Sequence, residues 1–549
     1  MEQRTHREKT TQPHAGPGST KAPLRVGLLV DSLALPAWAG RLAAEIRASP
    51  FARVVVVGTA LGLPPRETLL RRLWRGRSTL LHDLYVRLDA RIFREEPDAF
   101  APTDIRPLLG GCPIEEVGAA DLERVRAHDL DVAIVLSRTL PPAACSGIAR
   151  HGAWSLRDAA PAGPEAPPGV LEVLRGEGST GSLLEAWTPG SGNGQVIYRS
   201  YGPTDHVSVR RNRNRLCWKG SAFFLRKLRD LAEQGARAIQ GETAPPTPPP
   251  FKPTNLAMAA LLLRLAFRYV RGKLLDLLTH EQWYLAYRFE DRPGDDFRDL
   301  TEIMPPKDRY WADPFPVRTR DGRTFVFFEE LRYKDPKGRI LALEIDPERG
   351  AGEPFAVLER GYHLSYPHVF EWQGQYYMLP ETSQNRTVTL FRCVSFPDRW
   401  AEERDLLRDI DAVDATIEEI DGCWWMFVSV APFGATNREE LHLFRAGTPL
   451  GPWTPHPGNP VKSDCRGARP AGRLFRRDGL LYRPAQNCAG GYGTSIVIHR
   501  VDLVTPDAYR ETPVADIIPG WDPKARRAHT VNRCEGLVVL DLLRRRRRL

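Results

Sequence analysis

From Trp283 onward the chain repeats itself, and that repetition restricts the fold more than any other feature of its 549 residues. Short runs rich in aromatic and β-branched residues recur at Trp283 to Phe289, Thr324 to Phe328, Gln375 to Leu379, Trp424 to Val428, Ile496 to His499 and Leu537 to Leu540. Between them stand the turn-forming pairs Asp321-Gly322, Gln373-Gly374, Asp421-Gly422 and Asp478-Gly479, the grammar of antiparallel hairpins. Each unit is headed by a short motif carrying a polar or charged residue: Trp311-Ala312-Asp313-Pro314, Ser365-Tyr366-Pro367-His368, Val413-Asp414-Ala415-Thr416, Ala468-Arg469-Pro470-Ala471 and His529-Thr530. The heads lie roughly 45–60 residues apart, about one four-stranded sheet per unit. Five heads therefore predict an all-β five-bladed propeller over residues 281–543, with the strand from Trp283 to Phe289 closing the ring against the last blade.

In a propeller the first strand of each blade lines the central channel, so the heads converge near the axis. Asp313, His368, Asp414, Arg469 and His529 are the expected polar ring, with Glu381 and Glu330 as further carboxylates. Cleaving a glycosidic bond needs two carboxyls, one to protonate the leaving oxygen and one to activate water or attack carbon. Asp313, Asp414 and Glu381 are the candidates for those catalytic roles. Trp311, Tyr366, His368, Arg469, Tyr492 and His529 are the candidates for holding a sugar, with Trp424 as a further stacking ring. The plainer reading of the same residues is a satisfied polar network that fills the channel. No metal-ligand spacing is present, and the pattern specifies no cofactor.

The first half has a different rhythm. Leu24 to Val30, Val54 to Val57 and Asp131 to Leu136 are apolar runs, and Trp38 to Ile46 and Ala120 to Ala127 have helical spacing. Strands that are apolar throughout and alternate with helices predict a parallel sheet in an α/β domain over residues 23–238. Residues 1–22 are almost wholly polar and predict a disordered tail, and the proline-rich residues 239–254 an extended linker. Residues 255–280 predict a connecting amphipathic helix. Its apolar stretch, Leu256 to Phe267, is interrupted by Arg264 and is shorter than the ~20 residues of a membrane span. Two placements suit it: packed between the two domains, or lying on an anionic membrane surface. The arginines Arg544 to Arg548, within residues 544–549, predict a solvated basic tail, and Arg210 to Arg215 a solvated loop or a grip for phosphate.

Composition acts here as a filter. The net charge of +9 carries no aromatic-basic stripe, so no nucleic-acid partner is expected. The eight cysteines are dispersed without a CxxC pair, which argues against a zinc site or a disulfide framework. The first residues hold no apolar signal-peptide segment. Together these predict a cytoplasmic protein, peripheral to a membrane if the connecting helix lies on one.

Several motifs carry a resemblance. Trp311-Ala312-Asp313-Pro314-Phe315, the string HLSYPHVFEWQGQYYMLPETS from His363, Gly451-Pro452-Trp453, Ala468-Arg469-Pro470-Ala471-Gly472 and Tyr492-Gly493 resemble the N-terminal domain of the glucosamine inositolphosphorylceramide transferases. That domain is similar in fold to the five-bladed propellers of glycoside hydrolase family 43. The resemblance implies a carboxylate role for Asp313, matching the Asp that heads the first blade of those hydrolases, and for Asp414, heading the third. Their acid Glu has no clear counterpart, because the fourth blade offers Arg469-Pro470-Ala471, and Glu381 is the substitute. It also implies glycan or glycolipid assembly, with a sugar or glycolipid substrate and a separate glycosyltransferase as partner. In the first half, Gly152-Ala153-Trp154-Ser155-Leu156, Pro168 to Val173, Ser179-Thr180-Gly181 and Gly194-Gln195-Val196-Ile197 resemble the formyltransferase fold. This implies a degenerate formyltransferase-like α/β domain whose activity is lost, since His151 is displaced and the catalytic Asp position falls on Ser191, Gly192 or Asn193. Three functions follow as expectations: a glycosidase-like or transglycosylating enzyme, a glycan-recognition module that recruits a transferase, or formyl or acyl transfer to an amino sugar by the first domain.

Overall fold

The computed structural model of the protein describes residues 22–60, 77–118, 121–157, 169–190, 193–244, 253–289 and 297–548. Residues 1–21 of the expected polar tail, residues 245–252 of the proline-rich linker, and Ser191 and Gly192 lie outside the described residues.

In the first half, Leu24–Val30, Ala52–Ala60, Ile114–Val117, Val132–Val135 and Ala153–Leu156 run parallel in one sheet. Their valines and leucines are buried on both faces. Such strands must be covered on both sides, and that is why the sequence reads as unbroken apolar runs. The sheet does not stay parallel. Ser179–Trp187, Gln195–Pro203 and Glu242–Thr243 extend it antiparallel to eight strands, a mixed sheet rather than the wholly parallel one expected. Of these additions Ser179–Trp187 and Gln195–Pro203 are successive antiparallel strands, a connection that needs no crossover helix.

The basic string Arg210 to Arg215 is not a loop. It forms the first turns of the helix Val209–Gln234, capped by the Ser208 hydroxyl, which accepts the Arg211 N–H. Arg210 pairs with Asp98 at 2.6 Å, Arg211 with Asp205 at 3.0 Å and Arg215 with Glu95 at 2.9 Å. The charges hold the domain together.

The second half is a ring of five sheets. The first runs Arg309–Arg318, Thr324–Arg332, Asp335–Asp346 to Phe355–Leu358, and the second Ser365–Trp372, Gln375–Glu381, Thr387–Ser395, Arg399–Arg408. The third begins Ala412–Ile420, Cys423–Val430, Glu440–Ala446, and the fourth runs Phe475–Arg477, Leu480–Asn487, Ser495–Val504, Tyr509–Ile517. We call them blades I to IV. Their hairpins turn where the sequence indicated: Gln373, Asp421 and Asp478 have φ of +52°, each followed by a glycine with positive φ, the geometry of a two-residue turn that matches strand twist.

Blade V is built from both ends of this segment. Arg527–Cys534 and Leu537–Arg547 come last in the chain, whereas Thr279–Phe289 and Thr301–Ile303 come first. Thr279–Phe289 pairs antiparallel with Leu537–Arg547 along its whole length, from Thr279 opposite Arg547 to Phe289 opposite Leu537, and closes the ring as expected. Arg544 to Arg547, expected as a solvated tail, are the end of this strand instead. Ladder pairing and ion pairs, such as Arg544 with Glu302 at 2.9 Å, overcome their preference for water.

The two halves share a buried polar interface. Lys219 of the long helix forms an ion pair with Glu439, and Arg226 holds Glu440 with two bonds of 2.7 and 2.8 Å. The Cys465 N–H donates to the Tyr201 carbonyl at 2.9 Å, and the Gly490 N–H to that of Gly178 at 2.9 Å. The blade III and IV loops therefore continue the hydrogen bonding of the first domain.

Candidate active site at the propeller axis

Four of the five innermost strands break register at their heads. The pairing slips between Ala312 and Phe315, Ser365 and His368, Val413 and Thr416, and Ala528 and Val531. A bulge inserts an extra residue, bends its strand and re-aims a side chain. Asp313, Tyr366 and Asp414 occupy these bulges with φ of +53°, +47° and +56°. Aspartate tolerates the left-handed region, but a bulky side chain there must be held by its surroundings. In the remaining blade Arg469-Pro470 takes the same place, with Pro470 bridged to Ala485. The repeated head of the sequence is thus a repeated bulge, and the residues aimed at the axis are Asp313, Tyr366, Asp414, Arg469 and His529.

Two buried clusters result. In the first, His529 Nε2 lies 3.1 Å from Asp313 Oδ1 and Nδ1 lies 3.0 Å from Asp541 Oδ1. Asp313 also accepts the Thr530 hydroxyl at 2.7 Å and the Tyr366 N–H at 3.3 Å. Asp541 accepts the N–H groups of Asp313, His529 and Thr530 at 2.8, 3.1 and 2.9 Å. Burial would lower the His529 pKa, but Asp541 and Asp313 override it and hold the imidazole well above its ordinary value. Burial would raise Asp313, yet His529 and Thr530 keep it below the usual carboxylate range. The cluster is an imidazolium between two carboxylates.

In the second, the Arg469 guanidinium clamps both oxygens of Asp414 at 2.6 and 3.2 Å and lies 3.7 Å from Glu381. Gln486 adds a bond to Asp414 at 2.8 Å. Burial, reinforced by Asp414, raises Glu381 well above the ordinary range. Glu329 is raised in the same way by burial and by Asp313, while the Tyr310 hydroxyl donates to it at 3.1 Å. The rim is half-buried and polar, with Tyr310, His363, Glu381, Arg438 and Tyr492 reaching it. Arg438 stacks over the Tyr492 ring at 5.2 Å, and Asn437 meets Arg469 at 3.4 Å. These two rim residues also line a cavity of about 590 Å³ between blade III and the first domain, beside Glu95, Glu96 and Arg215.

Asp313, His529 and Asp541 bring ligand atoms within 4.8 Å of one another, as a metal site would. The carboxylates already accept the N–H groups of Asp313, Tyr366, His529 and Thr530, so an ion there would have to displace the proton of the His529 ring and share the carboxylates with those N–H groups.

Of the expected site residues, Asp313, Asp414, Glu381, Arg469, Tyr492 and His529 are brought together. Trp311, Tyr366 and His368 are not available to a sugar. The Trp311 indole donates to Glu330 at 3.1 Å and packs on Phe328 between blades. Tyr366 is wholly buried, its hydroxyl bonded to Thr416 at 2.9 Å and accepting the Gly472 N–H at 2.7 Å. His368 lies beyond the bulge that aims Tyr366 inward, so it sits between blades, bonded to the Ile417 carbonyl and stacked on Phe370. Trp424 packs against Phe370 as well. Glu330 points away from the axis into Arg309 and Arg339, because neighbouring strand residues face opposite ways and Glu329 takes the inward side.

Asp541, Glu329, Tyr310, Thr530 and Gln486 escaped sequence reasoning. Asp541 did leave a signal: it is the lone acid in the apolar strand Leu537 to Leu543, where an unpaired charge would be costly.

Comparison with known proteins gives the following. Residues 301–544 match the family model described as glucosamine inositolphosphorylceramide transferase 1, N-terminal. Among curated proteins, glucosamine inositolphosphorylceramide transferase 1 of Oryza sativa subsp. japonica is 37% identical over 209 residues, which are 37% of this chain and 28% of that protein. The Arabidopsis thaliana protein of the same name is 34% identical over 209 residues, 37% of this chain and 27% of its own length. The matched segment thus spans less than a third of these relatives. Among solved structures, a family 117 glycoside hydrolase of Zobellia galactanivorans has a TM-score of 0.33 at 13% identity, covering 48% of this chain and 90% of that one. A thermostable family-43 glycoside hydrolase has a TM-score of 0.30 at 14% identity, covering 46% of this chain and 94% of that one. The second half of this chain is therefore a five-bladed ring, fixed by its own strand pairing, that carries the sequence pattern of the glucosamine inositolphosphorylceramide transferase N-terminal domain.

Proposed function

We propose that this chain is a carbohydrate-active protein of glycan or glycolipid assembly, and that its propeller takes a sugar-bearing headgroup at the axial ring. The observation that carries this is the grouping of two carboxyls, Glu329 and Glu381, with Arg469, Tyr310 and Tyr492 at a half-buried rim, and burial raises both carboxyls toward the neutral form. Each sugar hydroxyl both donates and accepts. Neutral carboxyls and phenols do the same, and the guanidinium supplies further donors. The curated relatives are named for glucosamine and inositolphosphorylceramide, and on that likeness the substrate class proposed is a glycolipid, with a separate glycosyltransferase as partner. The cytoplasmic location expected from the sequence is part of the proposal.

Glycosidase-like or transglycosylating chemistry is the second reading. It is favoured by the opposed shifts of neighbouring groups, Asp313 lowered by His529 and Thr530 against its burial and Glu381 raised by burial and Asp414. Environments that push two carboxyls apart in this way define an acid and a base. Weighing against it, both Asp313 oxygens are occupied by Thr530, His529 and Tyr366, and a nucleophile would have to release one. Recognition asks for no such release. Formyl or acyl transfer by the first domain has no comparable grouping: His151 lies beside Asp131 and Arg150, and the Ser191-Gly192 position is outside the described residues.

The test is binding and turnover of a panel of sugars, nucleotide sugars and inositol phosphate headgroups with wild type, Asp313→Asn, Glu381→Gln and Glu381→Ala. Binding lost in Glu381→Ala and kept in Glu381→Gln, whose neutral amide still donates and accepts, with no turnover in any protein, is the expected result. Turnover abolished in Asp313→Asn while binding survives would establish the second reading. Absence of all binding would overturn both.

A further inference from the structure

The connecting helix Asn255–Leu278 has two apolar faces, and only one of them is used. Met258, with Leu261, Leu262 and Leu265, packs on Val170, Val173, Leu174 and Val209 of the first domain. Arg268 locks this face by donating to the carbonyls of Val173 and Leu174 at 2.7 and 3.1 Å. The helix is therefore not enclosed between the two halves, the first of the placements its sequence suggested. On the opposite side Leu256, Leu263, Phe267, Val270, Leu274 and Leu277 follow one another at helical spacing, and Leu256 is 83% exposed, Leu263 71%, Leu277 70% and Phe267 67%. Among the described residues nothing covers them. Apolar surface held in water is unfavourable, so a stripe of this size calls for a cover.

The flanks of the stripe say what covers it. At 100° per residue, Arg264 and Arg271 border it on one side and Lys273 on the other, all three exposed, and among the described residues none of them has an acidic neighbour on this face. Asp276, the helix's one acid, is turned away and paired with Arg545 at 3.2 Å. At the C-terminal end the exposed Arg547 and Arg548 add further positive charge, and the Arg548 N–H bonded to the Leu278 carbonyl at 3.0 Å fixes them there. The neighbouring helix Leu80–Ile92, joined to the start of this one through Asn255, repeats the arrangement with exposed Leu84, Leu88 and Ile92 beside Arg87 and Arg91. Two copies paired through such a stripe would set cation against cation along both edges. A bilayer with anionic headgroups accepts the apolar side chains and neutralises both rows, while the long basic side chains reach up to the phosphates. No helix among the described residues is long and apolar enough to cross a membrane, so the helix would lie flat.

We infer that the outer face of the helix Asn255–Leu278 docks the protein onto an anionic lipid surface, with Phe267 and its neighbours in the acyl boundary and Arg264, Arg271 and Lys273 among the headgroups. This stands on the helix alone and is independent of the reading of the axial ring.

The experiment uses the full chain. Its sedimentation with phosphatidylcholine vesicles is compared with that of vesicles containing phosphatidylserine, and a Phe267→Trp variant reports burial of the face by its emission, read as the difference from wild type. Expected are binding that requires the anionic lipid, a blue shift of the introduced indole's emission quenched by brominated acyl chains, and loss of about a hundredfold in partitioning when Arg264, Arg271 and Lys273 are all changed to glutamate. All the altered residues are exposed, so the fold should survive, and circular dichroism checks it. No association with anionic vesicles, or equal association in the triple variant, would overturn the inference. A blue shift without lipid in a protein that light scattering finds dimeric would overturn it too, in favour of a second copy on the same face.

Discussion

Asp541 accepts the backbone N–H of Asp313 at 2.8 Å, across 228 residues of sequence. The bond joins the second strand of blade V to the bulge at the head of blade I. His529 completes the seam, with one ring nitrogen toward each carboxylate. Replacing Asp541 with alanine strips this cluster of half its negative charge and leaves three buried N–H groups without an acceptor. The expected loss is about 3–5 kcal/mol, read from urea denaturation. A loss below about 1 kcal/mol would show that the cluster does not hold the ring.

The same cluster sets the charge of His529. Its pKa is raised on folding, so the stability it contributes is complete below the unfolded histidine value and is lost only as pH climbs through the higher folded one. In NMR titration the His529 ring should lose its second proton at a higher pH than an exposed histidine. In Asp313→Asn it should titrate at a lower pH than in wild type.

The interface between the halves should fail in acid. Burial alone would raise Glu440, but Arg226 and His442 bring it from 4.5 down to about 2. For a lowered carboxylate the stabilisation is present above the unfolded value near 4.5 and fades as pH falls from there through about 2. Thermal melts should show the two halves separating across that window. Glu440→Gln should already weaken their coupling at neutral pH by about 3 kcal/mol, with no further acid dependence from this site.

Glu418 works in the opposite sense. Burial outweighs Arg473 and Arg476 and raises it to about 7. A raised carboxyl favours the folded state at low pH and loses that advantage as pH rises from about 4.5 through 7. Glu418→Gln should make the protein more stable than wild type at pH 8, by about 1–3 kcal/mol, and indistinguishable from it at pH 4.

Tyr366 provides a test of role. Tyr366→Phe removes the acceptor of the buried Gly472 N–H and the partner of Thr416, at an expected cost of about 1–3 kcal/mol. Sugar binding at 25 °C should be unaltered, because the hydroxyl does not reach the rim. A selective loss of binding would return Tyr366 to the site.

The blade count, the hairpin turns and the closing strand were legible because each rests on local chemistry: glycine pairs at positive φ, alternating aromatic strands, and one head per sheet. Asp313 and Asp414 were legible for the same reason. His368 was misplaced because a bulge shifts the inward position to Tyr366, and a one-residue slip exchanges the two faces of a strand. Glu329 and Glu330 were exchanged by the same alternation. Asp541 belongs to a second strand, and its partners come from the far end of the segment, so no spacing in the sequence announces them. The arginines at 210 to 215 and 544 to 547 looked solvated because their carboxylate partners are remote in sequence and meet them only in the fold.

The seam in blade V has a consequence for how the chain is made. Thr279–Phe289 leaves the ribosome early and has no neighbour on one edge until Leu537–Arg547 follows. While blades I to IV are being synthesised, that edge is an open template, and any other strand of suitable length can pair with it. The order of synthesis therefore makes the last strand a lock. A chain that stops short of Leu537 lacks the strand that joins the two parts of blade V and leaves the ring gaping, with the axial carboxylates exposed to water before Asp541 has arrived.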